Sequence, residues 1–480
     1  MFMKSRIGVA ALLFLLCATG GAVEAAENEG LPAWVQTVGA RRKPTKKKVF
    51  EANAYGAVGD GETNSTKAIQ QAIDACAKAG GGVVSFKPGA YVTGALFIKS
   101  SVNFVVGEGV TLLGSQEDAD YPSINTRVAG IEMKWPAALI NVNDQKKVKL
   151  SGGGTIDGRG KKWWDKYWNL RRNDYEPRGL RWASDYDAER VRLLVVWKSS
   201  DVSVENLSLK RSGFWTVQVV YSDHVTVDGI KISDNGGPST DGVDIDSSSY
   251  VLVQHCDIDN NDDDICLKAG RDYDGLRVAR PTEYVVVRDN LTRRGGGILS
   301  FGSETSGGIR YVVAYRNRGV GTNEGLRFKS AKTRGGYVSD VLIRDVKMEN
   351  VPLPFTFTLN WNPSYSYASI PKEITNPPPH WVVMNTPVLP VERGYCEFRN
   401  IRVENVEVVG ARRIFSASGL PEKPMVGITF VNVTAEGDEA GFIEHARDWQ
   451  MKNVRVRTTK GEPVRLTNTA NVESPLVVKK

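Results

Sequence analysis

The chain has 480 residues, 41% of them hydrophobic, and a formal net charge of +7. It is long enough to bury a large core, and its small basic excess favours a polyanionic partner without selecting one. Five cysteines without a C-x-x-C pair or a nearby histidine cluster argue against a zinc site.

The first residues read as an export signal. Lys4 and Arg6 precede an apolar run from Gly8 to Ala18, and Val23-Glu24-Ala25 offers small residues for cleavage before Ala26. The run is too short to cross a bilayer, and no later segment is apolar enough to do so. The expectation is an exported protein, secreted or periplasmic, with residues 1–25 removed. Loss of Lys4, Arg6 and Glu24 then takes the charge from +7 to +6. Four cysteines remain, Cys76, Cys256, Cys266 and Cys396, read as buried thiols although export permits disulfides.

Residues 26–48 form a polar, basic leader ending in Arg41-Arg42-Lys43-Pro44-Thr45-Lys46-Lys47-Lys48, read as solvated. After the turn-rich 54–61, a helix is predicted from about Ser65 to Ala77, capped by Ser65 or Asn64. Ala68, Ile69, Ala72, Ile73 and Cys76 make its apolar stripe, and Gly80-Gly81-Gly82 ends it.

Short alternating strands then recur, among them 202–204, 225–227, 251–253, 285–287, 312–313, 341–343, 401–403, 428–430 and 454–456. Their starts differ by 23, 26, 34, 27, 29, 60, 27 and 26 residues. An Asn or Asp often follows, as at Asn206, Asp289, Asp345, Asn405 and Asn432, and then a second short apolar strand such as 207–209 or 230–232. A period of about 20–30 residues marks a solenoid whose coils bury an apolar face only by stacking. The spacing predicts an all-β, parallel β-helix over residues 49–470, with the helix at 65–77 covering its first coil and coils free of helices thereafter. Two aromatic-rich interruptions, near 160–189 and 352–398, are expected to be loops whose rings either stack on sugars or pack on the flank.

The acidic residues concentrate in Ser239-Thr240-Asp241-Gly242-Val243-Asp244-Ile245-Asp246 and Asn260-Asn261-Asp262-Asp263-Asp264. Asp241 and Asp262 are 21 residues apart, close to one coil, so their carboxyls are expected to stack on one face. Paired carboxyls roughly 6.5–9.5 Å apart suit inverting glycoside hydrolysis. Crowding of like charge raises one of their pKa values and keeps an acid protonated. Spacing alone also fits aspartates at coil corners or a calcium site.

The ordered motifs resemble glycoside hydrolase family 28, the polygalacturonase and rhamnogalacturonan hydrolase family, over about residues 50–460. Tyr55-Gly56-Ala57-Val58-Gly59-Asp60-Gly61 is similar to the family's opening, and Ser212-Gly213-Phe214-Trp215-Thr216 to its S-P-x-W-T. Ser239-Thr240-Asp241-Gly242 stands for N-T-D-G, the run from Asn261 to Gly270 for G-D-D-x-I-x-L-K-S-G, and Arg327-Phe328-Lys329 for R-I-K. The resemblance implies a right-handed helix and a pectic, galacturonate-containing substrate. It makes Asp262 the general acid, Asp241 and Asp263 the holders of the attacking water, and Arg327 and Lys329 the grip on the sugar carboxylate. Three departures stand out: a glycine, Gly296 or Gly297, replaces the histidine before G-S-E, Gln218 replaces the one after W-T-V, and Ser239 replaces Asn. Arg293 or Arg294 is a candidate for the missing positive charge.

The expectation is therefore a monomeric inverting hydrolase with no cofactor, no metal, no nucleic-acid partner and no membrane insertion. Two other classes stay open. A calcium-dependent pectate lyase would give an unsaturated product sensitive to EDTA, and a non-catalytic pectic-carbohydrate-binding helix would bind without turnover.

Overall fold

The computed structural model describes residues 30–480, so the export signal read at 1–25 lies outside the described residues. Residues 30–37 make a small unit holding one 3-10 turn, Ala33–Thr37. From Val38 onward the chain winds into a right-handed parallel β-helix of short strands, each hydrogen-bonded to the strand one coil away. Among the described residues the ladders between strands are parallel, except for the antiparallel hairpin of Ser123–Val128 with Ile131–Pro136.

Each complete coil carries three strands. The repeat legible in the sequence is one face, where Val202 pairs with Val225, Val225 with Val251, Val251 with Val285 and Val285 with Val312. The short second strands pair likewise, Leu209 with Ile232. The third face repeats with the same period but carries the polar site residues: Val217–Val220, Val243–Asp246, Ile265–Lys268, Leu299–Phe301, Glu324–Lys329 and Leu353–Thr358. Its inward side chains stack as apolar rows, and Phe301, Phe328 and Phe357 lie face to face at 4.3 and 4.7 Å. Because side chains alternate across a strand, the outward row runs Gln218, Asp244, Cys266, Ser300, Arg327 and Thr356, each register partner of the next.

Corners between faces need a left-handed backbone, which Asn and Asp tolerate. Asp345, Asn405, Asn432 and Asn453 all adopt it, with φ between 53° and 56°. Their side chains link as an exposed ladder: Asn405 Nδ2 donates to Asp345 (3.0 Å), Asn432 to Asn405 (3.1 Å) and Asn453 to Asn432 (2.9 Å).

A helix, Thr66–Lys78, buries Ile69, Ala72, Ile73 and Cys76. Asn64 Oδ1 accepts from the Thr66 backbone N–H (3.0 Å), while the Ser65 hydroxyl bonds Val58 instead. The basic leader is less solvated than its composition implies. Gly39 N–H donates to Tyr250 O (2.9 Å), Ala40 N–H to Thr226 Oγ1 (2.8 Å), Arg42 pairs with Asp201 (2.6 Å), Lys43 with Glu205 (2.7 Å), and Lys46 donates to Ala79 O (2.8 Å). Residues 39–43 thus cross three stacked strands, and Lys46 reaches the C-terminal end of the helix.

Helices do occur beyond the first coil, at Lys161–Leu170, Asp272–Val278 and Pro379–Asn385, but they sit in excursions from the coils, which is where the expectation of helix-free coils needs correcting. The hairpin at 123–136, the 160–189 excursion and the 359–396 excursion meet in a second apolar cluster. Trp135, Trp182, Tyr186, Phe214, Tyr365 and Trp381 are its large members. Trp182, Tyr186, Tyr365 and Trp381 of the two loops are buried in this satellite core and Tyr175 and Trp361 pack against it, whereas Trp163 joins the main core. Cys76, Cys256, Cys266 and Cys396 are buried free thiols.

Candidate active site

Asp241 and Asp263 sit in the turns leading into consecutive strands of the third face. Gly242 N–H donates to Asp263 O (2.9 Å), and Val243 pairs with Ile265, so Asp241 and Asp263 are register partners and Asp262 stands beside them. One carboxylate oxygen from each of Asp241, Asp262 and Asp263 lies within 4.8 Å of the others. These nearest oxygens are closer than the carboxyl separation expected from the sequence, because Asp241 stands only one strand spacing, about 4.8 Å, from its register partner Asp263, and Asp262 is next to Asp263 in the chain. Asp264, the third consecutive aspartate, turns away: its carboxylate packs against Gly295, where a Cβ would come within 2.5 Å of Oδ1.

The three carboxyls are held differently. Asp263 accepts from Lys329 Nζ (2.6 Å), Arg327 Nη1 (2.8 Å) and Ser300 Oγ (2.7 Å). Burial would raise its pKa, but Lys329 and Arg327 hold it far below the ordinary carboxylate range. Asp262 has no such partners; its Oδ1 accepts only the Asp263 backbone N–H (3.0 Å). Burial, then the neighbouring Asp263 charge, push Asp262 up, which favours a protonated acid. Asp241 is pushed well up by burial, then by Asp244 and Asp262.

The structure places all five site residues expected from the sequence together, and it shows what surrounds the glycines that stand where the resemblance puts a histidine. Gly297 continues the row of Asp241 and Asp263, and a side chain there would collide with Ser300 Oγ, 2.5 Å from a built Cβ, and with Arg327 at 3.2 Å. Ser300 and Arg327 therefore occupy that space and bond Asp263. Arg293 and Arg294, the sequence candidates for the missing charge, are elsewhere: each is exposed and paired with Asp257 (2.7 Å) or Asp259 (2.6 Å). Gln218, in place of the second histidine, accepts from Arg192 Nη1 (2.6 Å) beneath the site. Ser239 donates to Asp185 (2.9 Å), tying the Asp241 turn to the excursion wall.

Several contributors were missed. A pocket above the carboxyls is lined also by Arg181, Trp215, Lys268, Glu304, Trp361 and Tyr365. Trp361 places its ring 4.5 Å from Lys329 Nζ and 5.7 Å from Arg327. Lys268 was the one legible signal, a lysine closing an otherwise apolar strand, Ile265-Cys266-Leu267-Lys268. The trio of carboxylates is tight enough to hold a cation, yet Arg327, Lys329 and Lys268 already set three positive side chains around it, which disfavours a dication. The arrangement suits acid–base work on a sugar carrying a carboxylate: one raised carboxyl, one clamped anion, and a guanidinium and ammonium beside them.

Comparison with known proteins agrees. The profile described as Glycosyl hydrolases family 28 matches residues 105–368, and one described as Rhamnogalacturonase A/epimerase, pectate lyase-like matches residues 49–133. A probable polygalacturonase of Vitis vinifera is 29% identical over 395 residues, covering 79% of this chain and 72% of the relative. An endo-polygalacturonase of Pectobacterium carotovorum subsp. carotovorum is 26% identical, covering 88% and 92%. Among solved structures, a hyperthermoactive exopolygalacturonase from Thermotoga maritima superposes with a TM-score of 0.72 at 25% identity, over 87% of this chain and 94% of that one.

Proposed function

We propose, from the premise that the chain belongs to family 28 of the glycosyl hydrolases, that this glycosidase cleaves galacturonate-containing pectic polysaccharide by an inverting mechanism. The observation that carries it is the carboxyl trio of Asp241, Asp262 and Asp263 set against Arg327 and Lys329. Asp262, with its raised pKa, protonates the leaving glycosidic oxygen. Asp241 and Asp263 hold the water that attacks the anomeric carbon from the opposite face. Arg327 spends Nη1 on Asp263 and Nε on Glu324 (2.9 Å), which leaves the rest of its fork, and the further N–H groups of Lys329, for the substrate carboxylate. The protein acts as an exported monomer.

The wall built by the excursions favours cleavage at a chain end. Arg181, Trp361 and Tyr365 close the pocket on one side, and Trp361 offers a ring for a terminal sugar. Digestion of homogalacturonan and of rhamnogalacturonan, with NMR of the first-formed anomer, tests the whole reading. Free galacturonate of inverted configuration from homogalacturonan supports it. An ultraviolet-absorbing unsaturated product would establish a lyase instead, oligomers as first products would remove the chain-end claim, and a retained anomer would make one carboxylate a nucleophile.

A further inference from the structure

Beside the trio lies a second charged group that the mechanism above does not use. Lys268 is 4% exposed, and its ammonium is 3.6 Å from Asp241 Oδ2, 3.5 Å from Asp244 Oδ1 and 3.4 Å from Glu304 Oε2. The indole of Trp215 covers it, its ring centre 4.9 Å away. One cation thus serves three carboxyls that no other ammonium or guanidinium touches among the described residues. Asp244 is 0% exposed, and apart from the Asp241 carboxyl beside it neither of its oxygens has a hydrogen-bond partner. A buried carboxylate with no donor is costly, so Asp244 is stable there chiefly as the neutral acid. Asp241 differs in one respect: it lines the pocket.

We propose that Lys268 is a positioning residue that decides which of the neighbouring carboxyls Asp241 and Asp244 is charged, leaving the proton on sealed Asp244 and making pocket-facing Asp241 the anion that takes a proton from the attacking water. The inference rests on the role given to Asp241 above. The other acidic and basic groups near the ammonium leave this choice to Asp241 and Asp244. Its own strand contributes Cys266, whose thiol burial pushes well up and keeps neutral. The preceding strand contributes Asp244 and, farther along, Asp246, which Arg127 pairs at 3.1 Å. The turn before its strand brings Asp262 and Asp263, the latter neutralised by Lys329 and Arg327. Glu304 arrives from the segment after Leu299–Phe301, with Arg271 and Arg334 as its more distant cations. Burial pushes Asp244 up to about 8 in spite of Lys268 and pushes Asp241 well up too, so what separates them is that Asp241 faces the pocket and Asp244 is sealed; at Glu304, Lys268 and then Arg334 outweigh burial and hold it down to about 2. Two carboxyls thus share one proton, and the ammonium keeps a second proton from joining it.

The test is the pH profile of kcat/KM on polygalacturonate for the full-length protein and the variants Lys268→Met, Lys268→Arg, Asp244→Asn and Asp241→Asn. Asp241 must be deprotonated to accept a proton, so losing the cation raises its pKa and moves the acidic limb to higher pH. For Lys268→Met we expect an upward shift of at least about one pH unit, kcat lower by about 10–100-fold at the wild-type optimum, and KM within about threefold. Lys268→Arg should bring the limb back. Asp244→Asn should move it downward, because the amide donates to Asp241 and holds no titrating proton. An acidic limb that stays in place in a folded Lys268→Met protein overturns the inference. If that variant does not fold, an unmoved limb in Asp244→Asn does the same. The control separates the two claims: full activity in Asp241→Asn would sink the role of Asp241 itself, whereas an inactive Asp241→Asn with unmoved limbs elsewhere would sink only Lys268.

Discussion

Two rows of polar side chains climb this solenoid, and they differ in what they do with the same repeat. The corner row of Asp345, Asn405, Asn432 and Asn453 repeats nearly one residue type at the surface, and each side chain satisfies the next. The row of Asp241, Asp263 and Gln218, Asp244, Cys266, Ser300, Arg327 on the third face repeats nothing, is buried under excursions, and leaves Asp244 without a donor. A stacked scaffold brings equivalent positions to about 4.8 Å whatever they are. Identical neutral neighbours turn that proximity into a ladder, whereas unlike charged neighbours turn it into pKa shifts. The repeat stores structure where it is regular and chemistry where it is broken.

The comparison breaks most sharply at Asp262. Asp262→Asn should lower kcat on polygalacturonate by about 10²–10⁴-fold with little change in KM, the contribution of a general acid. A substrate with a good leaving group should lose less. The basic limb of the pH profile belongs to this residue. Its pKa is raised, the active form is the protonated one, and activity should fall as pH climbs through that raised value. Near-wild-type turnover in the folded variant would return the acidic row to the status of an ordinary corner.

Lys329→Ala comes next. It leaves Asp263 one cation short and removes an ammonium from the substrate site, and it should cost kcat/KM about 2–3 kcal/mol, most of it in KM for uronate substrates. Equal loss on a neutral sugar glycoside would show that Lys329 only supports Asp263.

The inward side of the same strands should respond in stability alone. Phe328 is sandwiched between Phe301 and Phe357, and Phe328→Leu should lower unfolding stability by roughly 1–2 kcal/mol while leaving the pH profile in place. Thermal or denaturant unfolding reads the first, and initial rates across pH read the second.

The smallest effect belongs to the ladder. Asn432→Ala should cost about 1 kcal/mol, from a lost side-chain bond and an alanine forced into φ near 53°. Activity should stay unchanged, and a drop in kcat here would mean that the two rows are coupled along the helix.

Much of this is legible in the sequence. The helix of Thr66–Lys78 was readable because Ile69, Ile73 and Cys76 recur at helical spacing. The face of Val202, Val225 and Val251 was readable because its alternation is clean. The third face alternates as cleanly, but what stacks on its outward side, Gln218, Asp244, Cys266, Ser300 and Arg327, shares no residue type that would mark it as one row. Arg293 and Arg294 looked suitable for a missing charge by proximity in sequence, yet they lie on the second strand's side of the turn and pair with surface aspartates.

The sequence by itself determined the coil period, the corner residues, the carboxyl trio and the two cations beside it, because each is a local pattern or a motif with fixed order. Only the tertiary structure decided that Ser300 and Arg327 crowd Gly297 and bond Asp263, that Lys268 answers Asp241, Asp244 and Glu304 together, and that three excursions far apart in the chain share one apolar cluster. The physical reason is burial. Which charges meet, and which carboxyl keeps its proton, depends on how neighbouring coils and loops exclude water, and no single segment carries that information.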